Sequence, residues 1–111
     1  VRRPLAPYGT RCQHTIDLYD SYGDGWNGNT LDGDGDLVLS GITLPADFGP
    51  LTFSFTAANG NRIHTVYHAI GQYPEEPYYQ LFDGLGLFIV QDGGAYIQPT
   101  GITVVGNCDV P

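Results

Sequence analysis

The chain has 111 residues and a mass of 12.0 kDa, enough for one hydrophobic core and too little for two. Twelve acidic residues against four arginines, with no lysine, give a net charge of −8 and a pI near 4.3, which argues against a nucleic-acid partner and favours cations. No apolar run approaches the roughly 18 residues of a spanning helix, and no charged-then-apolar leader opens the chain, so neither a membrane span nor a signal peptide is expected.

Residues 1–11, with Pro4 and Pro7, read as an extended N-terminal arm that could dock on a neighbouring copy or fray. Residues 12–111 read as one domain. Cys12 and Cys108 sit near its two ends, and a disulfide between them would close nearly the whole domain into a loop. In the chain-entropy model such a closure is worth roughly 4–5 kcal/mol. The staple fits an extracellular setting; the alternative is two buried thiols in a reducing compartment.

No segment keeps apolar residues at helical spacing for three turns, whereas short β-rich runs recur between Gly, Pro, Asn and Asp clusters. Strands are expected over residues 14–19, 36–43, 51–57, 62–69, 78–82, 87–91, 95–98 and 102–105. Ile16 and Leu18 alternate with Asp17 and Tyr19, Leu37 and Leu39 with Val38 and Ser40, and Phe53 and Phe55 with Thr52 and Ser54, so each strand has one face for a core. Asn59-Gly60 signals a two-residue hairpin and Asp92-Gly93-Gly94 a second tight turn. The expectation is an all-β, antiparallel two-sheet β-sandwich, jelly-roll-like, of about eight strands.

The densest chemistry lies in residues 17–29, where Asp17, Asp20, Asp24, Asn27 and Asn29 alternate with Gly23, Gly25 and Gly28 around Trp26, the chain's single tryptophan. Short oxygen-bearing side chains this close need a hard cation or a dense hydrogen-bond net, and the glycines allow the backbone to wrap. Ca²⁺ is the expected ligand. The spacing is not that of an EF-hand: counting from Asp20 puts Tyr22 at the third position and Leu31 at the twelfth, and counting from Asp32 puts Leu37 where glycine is required. The competing arrangement is a metal-free turn in which Asp20 and Asp24 cap backbone amides and Trp26 plugs the core. Asp32, Asp34 and Asp36 extend the acidic run and read equally as a solvated face.

The string Asp20-Ser21-Tyr22-Gly23-Asp24-Gly25-Trp26-Asn27-Gly28, followed later by Gly71-Gln72-Tyr73-Pro74-Glu75-Glu76, resembles a module repeated in large secreted and surface proteins of microbial eukaryotes and marine bacteria. That module carries a tryptophan in the strand after the second motif, where this chain has Tyr78 or Tyr79. The resemblance implies a secreted β-sandwich used in extracellular architecture, with no enzymatic role. It also places Glu76 where the module keeps an acidic residue. If Pro74 and Pro77 stiffen that turn, Glu76 can reach the first loop and complete an oxygen cage with Asp20, Asp24 and Asn27.

Tyr73, Tyr78 and Tyr79 offer flat rings for a glycan or a partner, or pack in the core. His64 and His68, four apart in one strand, would stand about 13 Å from each other, too far to share a metal. His14 is isolated. Glu75 and Glu76 are adjacent and point apart in an extended chain, no serine has a nucleophile-elbow context, and a disulfide would silence both cysteines, so no enzyme is expected. The sequence reading is an extracellular calcium-binding structural module or subunit of a surface fibre, appendage or adhesin. Its partners would be neighbouring copies or other extracellular proteins. The alternative is a carbohydrate-binding module.

Overall fold

In the computed structural model, which describes residues 7–35 and 39–108, the chain forms seven strands and no helix among the described residues. They are β1 (Arg11–Asp20), β2 (Thr30–Gly35), β3 (Leu51–Ala58), β4 (Arg62–His68), β5 (Pro77–Phe82), β6 (Phe88–Gly93) and β7 (Thr103–Val105). Two antiparallel sheets, β3-β1-β5-β6 and β2-β4-β7, make up the sandwich that the alternating runs predict.

The period-2 pattern decides the core. β1 turns His14, Ile16, Leu18 and Asp20 inward, and β5 turns Pro77, Tyr79 and Leu81 inward. Ile16, Leu18, Phe55, Ala57, Tyr79 and Leu81 from the larger sheet meet Leu31 and Ile63 from the smaller, with Trp26 and Leu44 closing one end. A buried polar chain ties the layers: Thr65 Oγ1 on β4 lies 2.5 Å from the Tyr79 hydroxyl on β5, which donates to Asp92 Oδ2 on β6. Asp92 also accepts from the amides of Thr100 and Gly101, so its buried carboxylate is hydrogen-bonded on both oxygens.

Several local expectations change. Thr30–Gly35 is a strand although Asp32, Gly33, Asp34 and Gly35 carry loop composition, because β4 presents a whole edge that pairs with it from Thr30↔His68 to Gly35↔Ile63. Of the strand expected over 36–43, residues 36–38 lie outside the described residues and the rest contributes one bridge, Leu31↔Ile42. Residues 95–98 form a turn rather than a strand, since Ala95 and Tyr96 both take positive φ (52° and 61°), and the predicted Asp92-Gly93 turn is the end of β6. Asn59-Gly60 is not a hairpin: β3 and β4 belong to different sheets, and this corner carries the chain from one layer to the other. β5 and β6 are sequential strands that do pair directly.

The termini close as the cysteines suggest. Cys12 and Cys108 form a disulfide with Cα atoms 5.9 Å apart. Of the predicted arm, residues 1–6 lie outside the described residues, while Gly9 N donates to Asn59 O, Asn59 N donates to Thr10 O and Arg11 opens β1, so the arm as drawn from the sequence ends earlier. Near the disulfide, the buried Asp83 carboxylate accepts from the amides of Leu85 (2.8 Å) and Leu87 (3.0 Å) and from Asn107 Nδ2 (3.0 Å). Burial pushes its pKa up, but those donors and His14 outweigh that and hold it below the usual carboxylate range.

Two stability predictions follow from this end of the sandwich. Reducing the Cys12–Cys108 bond should cost about 2–5 kcal/mol, read as a fall of roughly 10 °C or more in Tm. Because the folded pKa of Asp83 lies below its unfolded value near about 3.9, its contribution is present at neutral pH and lost as pH falls through the folded pKa. Melting scans from neutral pH into acid should therefore show a falling limb below about pH 4 that is shallower in Asp83→Asn, and this variant should already be less stable at pH 7 by about 1–3 kcal/mol.

Candidate metal centre

β1 and β5 end side by side, with Asp20 paired to Pro77, so the loop that follows β1 and the turn that precedes β5 meet at one end of the sandwich. Trp26 fixes the loop. It is fully buried, donates its Nε1 hydrogen to Tyr19 O (2.7 Å) and packs edge-on against Tyr67. At Gly25, with φ +84°, an added Cβ would lie 2.8 Å from Leu44 O, so glycine is required where the loop crosses the 44–46 segment.

The turn is bound to the loop by Asn29, which is completely buried. Its Nδ2 donates to Trp26 O (2.8 Å) and Gln72 O (2.7 Å), and its Oδ1 accepts from Gly71 N (2.9 Å). Gln72 N donates to Asn27 O and Ser21 N to Glu76 O. Gly71 leaves no room for a side chain, since a Cβ there would come within 2.2 Å of Asn27 O. The two sequence motifs are thus one structural unit.

That unit brings carboxylates together. One oxygen from each of Asp20, Asp24 and Glu76 lies within 4.8 Å of the others. Asp20 is 1% exposed and Glu76 8%, while Asp24 is exposed. Asp20 Oδ2 accepts from the amides of Gly23 (2.6 Å) and Asp24 (2.8 Å), the capping expected of a tight Asx turn. Its other oxygen, Oδ1, is buried with no hydrogen-bond partner, as are Glu76 Oε1 and Ser21 Oγ. Burial raises the pKa of Asp20 against the lowering effect of the two amides, and burial followed by the charges of Asp24 and Asp20 raises that of Glu76. The two described arginines lie elsewhere: Arg62 faces Asp34 at 3.9 Å and Arg11 begins β1 at its far end.

Of the four ligands predicted from sequence, Asp20, Asp24 and Glu76 converge. Asn27 braces the loop, its amide donating to Asp24 Oδ1 (3.2 Å) and Gly25 O (3.3 Å). Asn29 and Ser21 were missed as parts of the unit. Asn29 could have been suspected as a polar residue ahead of a strand, but nothing local marks its partners 42 and 43 positions away. Tyr79 is corrected as a glycan contact, because it is 0% exposed and its hydroxyl serves the core network. Tyr73 is exposed at the turn, with positive φ, and Tyr78 is half-buried against Tyr19. Of the acidic run beyond, Asp32 is satisfied by Gly41 N (2.6 Å) and His68 Nε2 (2.8 Å) and Asp34 faces Arg62, while Asp36 lies outside the described residues. Cys12, His14 and Cys108 also cluster, but both sulfurs are committed to the disulfide.

Removing the Asn29 side chain tests whether loop and turn act as one unit. Asn29→Ala should destabilise by about 1–3 kcal/mol for each group left buried without a partner, measured by urea unfolding. Comparison of the chain with protein-family models, curated proteins and solved structures found no match.

Proposed function

We propose that the chain is a Ca²⁺-stabilised, disulfide-closed structural module of extracellular assemblies. The observation that carries this reading is the pair of buried carboxylate oxygens, Asp20 Oδ1 and Glu76 Oε1, without partners beside a third carboxylate. A metal-free capped turn accounts for Asp20 Oδ2 but leaves both of these oxygens desolvated and mutually repelled. A hard divalent cation satisfies them at once. The donors are all oxygen, which suits Ca²⁺ or Mg²⁺ over zinc, and a glycine-rich loop tolerates the larger, irregular shell of Ca²⁺. Backbone carbonyls and water would complete the coordination.

The structural role rests on what the cation would join. It would clamp the ends of β1 and β5, while the Cys12–Cys108 bond clips the opposite end of the same sheet. A domain closed at both ends suits an exposed setting where free Ca²⁺ is millimolar and thiols are oxidised.

Calcium titration with calorimetric and melting readouts decides the matter. At a Ca²⁺ concentration of about 100 Kd the folded state should gain about 2.7 kcal/mol. Glu76→Gln should be at least as stable as the parent in EDTA, because one repelling charge is gone, yet gain little from Ca²⁺. No heat and no melting shift at millimolar Ca²⁺ would reject the proposal; an equal response to Mg²⁺ would reject the choice of ion.

A further inference from the structure

The outer face of the larger sheet carries an order unlike an ordinary solvated surface. Successive cross-strand rows read Ser54–Thr15–Phe82–Phe88, then Thr52–Asp17–Gln80–Gln91, then Tyr19–Tyr78–Gly93. Rows of rings flank a row of hydrogen-bonding groups. Tyr19 and Tyr78 lie parallel, 5.0 Å apart with 7° between planes, and Phe82 meets Phe88 edge-on at 6.1 Å. Between them Gln80 Nε2 donates to Gln91 Oε1 (2.8 Å), and Gln91 Nε2 donates to Gly93 O.

Over the tyrosine end the face deepens into an open groove of about 600 Å³. Tyr19, Tyr78, Gln80 and Gln91 line it, together with Phe48 from the segment before β3 and Tyr96 from the turn after β6. Phe48, whose ring lies over Gly23, is 60% exposed and Tyr96 54%, a large apolar surface left to solvent. Tyr96 is held there by a backbone in the left-handed region.

We infer that this groove binds a neutral polysaccharide. A pyranose ring has a C–H face that packs on the electron-rich face of an aromatic ring and a rim of hydroxyls that both donate and accept. A glutamine amide does the same, which makes the Gln80–Gln91 pair a fitting partner for that rim. None of the lining residues is cationic, and Asp20 is among them in a chain of charge −8, so an anionic glycan would be repelled. Aromatic rows four positions apart along β5 stand about 13 Å from one another, longer than a single sugar ring, which selects a chain over a monosaccharide. The groove adjoins the carboxylate cluster at Asp20 and Ser21, which lie on its edge, but its rings and amides face outward from β1, β5 and β6, whereas Asp20 and Glu76 are buried.

The test uses the full chain, isotope-labelled, with neutral oligosaccharides of cellulose, xylan, mannan and laminarin as probes, in millimolar Ca²⁺ and again in EDTA. At least one probe should shift the side-chain amide signals of Gln80 and Gln91 in either condition. Tyr78→Ala should weaken its binding about tenfold or more, as truncation of a central aromatic anchor does, and Tyr8→Ala, at the far end of the sandwich, should not. Gln91→Ala provides a second variant outside the core should Tyr78→Ala fold poorly. No shift with any probe at millimolar concentration, binding undiminished in both Tyr78→Ala and Gln91→Ala, or preferential capture of an arginine-rich peptide by the groove would each overturn the inference. Failure here with a normal Ca²⁺ response would leave the cation reading intact, and the reverse holds as well.

Discussion

Three carboxylates held within one small volume are the constraint around which this end of the molecule is organised. Left in water, Asp20, Asp24 and Glu76 would move apart, since like charges at such distances repel by about 1 kcal/mol even at bulk dielectric and more where burial lowers it. They are kept together by groups that carry no charge. Trp26 is locked by packing and its indole hydrogen bond, and Asn29 ties the first loop to the turn over residues 71–76. The neutral scaffold thus supplies the work of assembling a charged site, the preorganisation that a tight cation site needs.

β1 is the element that the parts have in common. Its inner face supplies Ile16 and Leu18 to the core, its outer face supplies Asp17 and Tyr19 to the aromatic and amide rows, its first turn of chain holds Cys12, and its last residue is Asp20. It is paired on both sides, by β3 and β5, so the backbone donors and acceptors of its paired positions are taken up in ladders. The carboxylate cluster at its end and the groove over its outer face therefore share one support and meet at Asp20.

Some of this was legible in residues alone and some was not, and the division follows sequence distance. The alternation of Ile16 and Leu18 with Asp17 and Tyr19 states which side of β1 is inside, and the structure has it so. In β5 the same rule is blind, because Tyr78 and Phe82 on one face are as apolar as Tyr79 and Leu81 on the other. The strand Thr30–Gly35 was hidden for a related reason: its glycines and aspartates carry no β preference of their own, and pairing with β4 imposes it. Asn59-Gly60 marked a turn correctly in composition, yet whether the two strands pair or part there depends on which sheet each joins.

The sequence by itself determined the all-β class, the inward face of the strands with one apolar side, the two cysteines placed near the ends of the domain, and the two short motifs in which acidic chemistry is concentrated. Each of these depends on local composition or on a period of two, which a linear chain displays. Motif order pointed to Glu76 beside Asp20 and Asp24, which the fold brings together without Asn27; tertiary structure alone decided that Asn29 joins the motifs, that Tyr79 points into the core, and that Tyr19, Tyr78, Gln80 and Gln91 share an outward groove with Phe48 and Tyr96. These depend on strand register between segments tens of residues apart, and register is set by the packing of the whole sandwich rather than by any one stretch of it.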